Sequence, residues 1–224
     1  EINDSPSGNT PATISGNLRI ENLSYTYTGA ATPALHDISF TLARGETVAI
    51  MGRVGSGKTT LLKQIVRLID PKSESVWIDD HPVKDYPLSQ LRAQVAMVPQ
   101  DPFLFAEPLK DNLTYDDPNR MLEKIWQAAT SADLKSTIDG FPDKLDTLIG
   151  ERGVTLSGGQ KQRATLARGL LRNAPILTLD DCIPAVDPET EDHIHRELNR
   201  LCLEQKTVHV SHTISQARHA DRIM

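Results

Sequence analysis

Polar positions dominate the first seventeen residues, EINDSPSGNTPATISGN, and the few apolar ones follow no period. A stretch so rich in Ser, Thr, Pro, Gly and Asn predicts a mobile linker over 1–17. From residue 18 the apolar positions organise. LRIENLSYTY and ISFTLA read as strands, and TVAIM as a third that runs into a glycine-rich loop and the apolar helix TTLLKQIVRLI. SVWID and QVAMV are further strands. Between about 108 and 138 the pattern turns helical, most clearly in RMLEKIWQAATSADL, and a helical subdomain is expected over about 101–172. GGQKQRATLARGLLRN predicts a helix ending near Asn173, before Pro175. A strand at 176–179, a helix over 188–204, the strand TVHV and a short helix TISQARHA follow. Strands alternating with helices predict an α/β fold with a mainly parallel sheet. The antiparallel-looking start and the helical middle are additions to that sheet. No internal repeat is present. The chain begins at Glu1 rather than Met and stops as DRIM enters another strand, so a piece truncated from a longer protein is expected.

Composition narrows the classes. With 38% hydrophobic and 24% charged residues over 224 positions, the chain can bury a core of ordinary globular kind. No run of about 18 apolar residues marks a membrane span, and no signal peptide is apparent. The net charge of −6 argues against a nucleic-acid partner, which calls for a basic face. Cys182 and Cys202 have no metal-ligand spacing and read as buried or half-buried thiols. His193 and His195, two apart on a helix, face different ways and make no metal pair. His36, His81, His209 and His219 read as surface or packing residues.

Two segments carry chemistry. GRVGSGKTT, residues 52–60, sits between a strand and a helix and has the spacing G-x-x-x-x-G-K-[ST]. Gly52, Gly55 and Gly57 allow backbone angles that turn N–H groups toward one point, and the helix adds its positive end. Lys58 suits the β- and γ-phosphates of a nucleotide, and the Thr59 hydroxyl suits Mg²⁺. LSGGQ, residues 156–160, opens another helix: Ser157 can cap it, and Gly158 and Gly159 bare its first N–H groups. One chain thus carries two anion-binding helix starts.

In these motifs and their order, residues 18–224 resemble the nucleotide-binding domain of ATP-binding cassette (ABC) transporters of the exporter type. The resemblance implies a RecA-like P-loop NTPase with an antiparallel β subdomain and an α-helical subdomain, binding ATP and Mg²⁺. Gly52, Arg53, Val54, Gly55, Ser56, Gly57, Lys58, Thr59 and Thr60 match the Walker A loop. Tyr27 in LSYTY matches the aromatic that stacks on adenine, with Tyr25 as packing. Gln100 in VPQDPFLF matches the Q-loop glutamine that touches Mg²⁺ and the attacking water. GERGV (150–154) resembles the loop facing the transmembrane coupling helices. Ser157, Gly158, Gly159 and Gln160 belong to the signature motif, Asp180 ends Walker B and holds the metal, Asp187 fits the D-loop, and His212 fits the switch histidine. Asp187 also suits an N-cap, with Pro188 at the first helical position. The implied assembly is a head-to-tail dimer in which each ATP lies between one domain's Walker A loop and the other's signature helix. Membrane-spanning domains would be driven from the cytoplasmic face.

Where the family usually has glutamate after the Walker B aspartate, this chain has Asp181. The side chain is one methylene shorter, a retreat of about 1.5 Å. Its own Walker site is therefore expected to bind ATP but hydrolyse it slowly, with a non-identical partner supplying the competent site. The alternatives are a fully active symmetric ATPase, in which a local backbone shift lets Asp181 reach the water, and a soluble cassette protein of DNA repair or translation. A cassette that acts on chromosomes often inserts a long coiled coil. Ser157 follows Lys58 by only 99 positions, which leaves no room for one. A nucleotide sensor without turnover is a further alternative.

Overall fold

The computed structural model describes residues 2, 4, 10–43, 45–150, 153–183, 188–202, 206–211 and 217–224. The chain divides into two compact units. The first comprises Glu1–Met97, Ala174–Asp180 and Cys202–Met224; the second comprises Val98–Asn173 and Asp181–Leu201. No described helix is long and apolar enough to cross a membrane.

The first unit holds two sheets. Strands β1 (Leu18–Tyr25), β2 (Leu35–Leu42), β4 (Val76–Ile78) and β5 (His81–Pro82) form an antiparallel sheet in the order β2-β1-β4-β5. Strands β3 (Thr47–Met51), β6 (Val95–Val98), β7 (Ile176–Asp180), β8 (Lys206–Ser211) and β9 (Arg222–Ile223) form a second sheet in the order β6-β7-β8-β3-β9. β7, β8, β3 and β9 run parallel. All five residues of β7, ILTLD, are buried, as a parallel strand covered on both faces requires, even though Thr178 and Asp180 are polar. Met51 pairs with Ser211, and Asp180 pairs with Val210. The chain therefore leaves β3 toward the glycine loop and β7 toward Asp181 at the same sheet edge, the carboxyl edge where α/β sheets hold ligands.

Three features of this unit differ from the sequence expectation. Helix α1 (Lys58–Ile65) stops four residues short of Ile69, because Arg67 takes a left-handed backbone with φ 51°. The Arg67 guanidinium, almost fully buried, holds that turn through Asp70 Oδ1 (2.7 Å) and the carbonyls of Lys84 and Tyr86 (3.2 and 3.1 Å). Helix α2 (Leu88–Gln94) was not anticipated: it is short and buries only Leu91 along its length. The third difference lies in the expected linker. Ile14 is buried in the core with Leu18, Tyr86 and Leu91. Its N–H donates to Gln94 Oε1, while Gln94 and Gln90 donate to the carbonyls of Ala12 and Pro11. One buried residue among a few scattered apolar ones has no period to reveal it.

The second unit is helical: α3 (Leu109–Leu113), α4 (Leu122–Ser131), α5 (Lys135–Asp139), α6 (Gly158–Leu171) and α7 (Pro188–Cys202). It reaches beyond the 101–172 expected for a helical subdomain, since α7 joins it. Ser131 on α4 donates to Glu197 on α7 at 3.0 Å, and Arg200 pairs with the same carboxylate at 2.8 Å. Asp187, expected at the start of α7, lies outside the described residues, as do Glu151 and Arg152 of GERGV.

Candidate functional site

The loop between β3 and α1 is built to receive an anion. Residues 52–56 are exposed, and Val54 at the tip is 90% exposed. Gly57, the residue before α1, has φ 94° and caps the helix with no side chain, so the first helical N–H groups stay open toward the loop. A Cβ on Gly57 would stand 2.1 Å from the carbonyl oxygen of Ala34, so only glycine fits there. Lys58 is buried, and its ammonium is gathered into the loop by the carbonyls of Gly52 (2.7 Å) and Arg53 (2.9 Å). The Thr59 hydroxyl donates to Asp180 Oδ1 at 3.0 Å, and Asp180 is 3% exposed. A hydroxyl and a carboxylate side by side are hard oxygen donors of the kind Mg²⁺ takes beside phosphate oxygens. The loop and this pair thus fit a magnesium nucleotide.

Tyr27 lies on the same unit, 42% exposed, with its ring set edge-on to Tyr25 at 5.0 Å. Its hydroxyl is 3.0 Å from that of Thr60. Lys72 sits over the Tyr25 ring at 5.3 Å and donates to the Thr26 carbonyl.

Within the second unit, Gln100 Nε2 lies 3.5 Å from Asp181 Oδ2, a long contact. Asp181 has a left-handed backbone, φ 45°, which Asp tolerates better than most residues because its short polar side chain bonds locally. At the start of α6 the capping box is complete. Ser157 Oγ accepts from Gln160 N–H at 3.3 Å, and Gln160 Oε1 accepts from Ser157 N–H at 2.9 Å. Ser157 is thereby fixed in place, and a Cβ on Gly158 would meet open space, so the helix start is uncovered. His212 lies outside the described residues.

A further feature escaped the sequence reading. Phe103, Phe105 and Tyr115 form an exposed aromatic group: Phe103 is edge-on to Phe105 at 4.9 Å, and Phe105 stacks on Tyr115 at 5.1 Å. Asn112, fully buried, sets this loop by accepting from Phe105 N–H and donating to the carbonyls of Phe105, Glu107 and Pro108. Gly150 of GERGV packs against it, so closely that a Cβ would stand 3.0 Å from Ala106 Cα. The only sequence signal was the apolar FLF between two prolines, where neither helix nor strand can run.

The profile of the family described as ABC transporter matches residues 35–184, well over half of the chain. The chain belongs to the ABC transporter family. Among curated ABC relatives, a putative multidrug export ATP-binding/permease protein of Bacillus subtilis (strain 168) is 41% identical over 221 residues, covering 99% of this chain and 38% of the relative. An ATP-dependent lipid A-core flippase of Thiobacillus denitrificans is 41% identical over 215 residues, covering 96% and 37%. Among solved structures, a bacterial Atm1-family ABC exporter with ATP bound superposes with a TM-score of 0.91 at 32% identity, covering all of this chain and 39% of that one. This ABC chain therefore spans under two fifths of the length of these relatives.

Proposed function

We propose that this chain is the ATP-binding and ATP-hydrolysing domain of a membrane exporter, acting at the cytoplasmic face and driving membrane-spanning domains of the same protein or of an associated chain. The observation that carries the reading is the Thr59–Asp180 pair at 3.0 Å beside a glycine loop that gathers the Lys58 ammonium. Gly52–Thr60 would hold the triphosphate through backbone N–H groups and Lys58, and Tyr27 would carry the adenine ring. Thr59, Asp180 and Gln100 would hold Mg²⁺, which when bound neutralises charge on the β- and γ-phosphates. Asp181 would orient the attacking water and draw its proton, helped by His212. The capped start at Ser157–Gln160 would face the γ-phosphate of a second nucleotide-binding domain, so that ATP joins two domains head to tail. The exposed aromatic group with GERGV would receive the membrane domains, since exposed apolar patches of this kind mark interaction sites. Relatives named as export and flippase proteins support the direction of transport.

The finer reading concerns rate. Asp181 is one methylene shorter than the usual glutamate, and a misplacement of about 1 Å can cost on the order of 10²-fold. Its own Walker site would then bind ATP and turn it over slowly, paired with a non-identical domain whose site is competent. The left-handed backbone at Asp181 favours one other reading, in which the turn carries the shorter carboxylate to the water and both sites work. Calorimetric titration of the chain with ATP, with and without Mg²⁺, tests the first claim: magnesium-dependent binding supports it, and no binding overturns it. Turnover of the assembled dimer tests the rest.

A further inference from the structure

Tyr27 and the phosphate loop are joined at two points. The Tyr27 hydroxyl lies 3.0 Å from the hydroxyl of Thr60, and Thr60 is buried in the first turn of α1 directly after Thr59. The turn that follows Tyr27 also closes back on the loop. Ala34 N–H donates to the Tyr25 carbonyl at 2.7 Å, and the Ala34 carbonyl oxygen packs so closely over Gly57 that no Cβ could stand between them. Tyr27 is 42% exposed, and its ring meets Tyr25 in a T-shaped contact at 5.0 Å. A partly exposed ring with one aromatic neighbour has its tilt set largely by whatever holds its far end. Here that is Thr60.

We propose that Thr60 is a positioning residue for base recognition: its hydroxyl fixes the tilt of the Tyr27 ring, so that the surface for the purine and the loop for the phosphates are held as one body. This rests on the reading of Tyr27 as the adenine contact. It assigns Thr60 a role in choosing the base, in addition to any contact with the phosphates. The consequence is a selective one. Loss of the hydroxyl pair lowers the preference for a nucleotide over a phosphate chain that has no base.

The test is the ratio of affinities for ATP and inorganic tripolyphosphate, measured by titration on the 224-residue chain with Mg²⁺ present. A net hydrogen bond corresponds to about a five-fold change in affinity. Tyr27→Phe, which keeps the ring, is expected to lower the ATP preference about five-fold, and Thr60→Val by a similar factor. The double variant is expected to lose no more than either single one, because both remove the same bond. Thr60→Ser, which retains a hydroxyl, is expected to keep the wild-type ratio. If Tyr27→Ala abolishes the preference but Tyr27→Phe retains it, the ring reads the base and Thr60 does not position it, which overturns the proposal. Losses that multiply in the double variant overturn it too. If Tyr27→Ala itself leaves the ratio unchanged, the adenine reading of Tyr27 fails and the proposal falls with it.

Discussion

Arg168 on α6 donates through Nε to the backbone carbonyl of Asn112 at 2.7 Å, and a terminal nitrogen lies 3.3 Å from that residue's Oδ1. Partial burial pushes the Arg168 guanidinium below its ordinary pKa, a cost to the charge that these bonds offset. The helix that begins at Gly158 is thus bonded, through one buried asparagine, to the loop that presents Phe103 and Phe105.

Asn112→Ala would leave Phe105 N–H and one Arg168 nitrogen without their acceptor at a part-buried site. The expected loss is about 2–3 kcal/mol, from unmade buried hydrogen bonds. Thermal unfolding should show a lowered midpoint, and hydrogen exchange should rise first at Phe105–Pro108. Unchanged exchange in that loop would refute the role given to Asn112.

Asp181→Glu restores the missing methylene. Turnover per assembled dimer should rise, by up to about 10²-fold if misplacement is the whole deficit. ATP affinity should stay unchanged, because Asp180 and Thr59 are untouched. A turnover equal to the parent's would show that the left-handed turn at Asp181 already delivers the carboxylate.

Gln64 on α1 is fully buried, and neither polar atom of its side-chain amide has a hydrogen-bond partner among the described residues. Buried unpaired groups of this kind cost about 1–3 kcal/mol. Gln64→Leu keeps much of the volume and removes both. It should raise the thermal midpoint by several degrees, about 2–4 °C per kcal/mol at this chain length. A fall in the midpoint would mean that the amide is satisfied in solution.

Asp79 accepts from the Ser15 hydroxyl at 2.7 Å and from the N–H groups of Ser15, Gly16 and Asn17. Burial alone would raise its pKa, but the Ser15 hydroxyl and the three N–H groups outweigh burial and hold it below its ordinary value. The sign follows. A carboxylate depressed in the folded state contributes stability above its unfolded pKa of about 4, and that contribution is lost as pH falls through the folded value. Exchange at Ser15–Asn17 should therefore accelerate in acid before the sheets open. Asp79→Ala should show the same acceleration at neutral pH and no further acid step there.

Local structure was legible in the sequence and distant pairing was not. The glycine loop was readable because its spacing, the strand before it and the helix after it lie within about twenty residues. Asp180 was readable because a buried strand ends on it. Helix α1 was over-extended because Arg67 is a good helix former, and its left-handed turn depends on carbonyls of Lys84 and Tyr86. The aromatic group was missed because Tyr115 reaches Phe105 only across the turn that Asn112 ties. The bond between Tyr27 and Thr60 spans 33 positions and has no signature at either end.

Ile14 also sets a limit on trimming. A shorter version beginning at Leu18, where the regular strand pattern starts, would remove one buried isoleucine side chain from the core that also holds Tyr86 and Leu91. It would also strip Asp79 of all four of its donors and leave the side-chain amides of Gln90 and Gln94 facing water. The smallest fragment that keeps the antiparallel sheet sealed therefore begins no later than Pro11, inside the stretch whose composition alone looks dispensable.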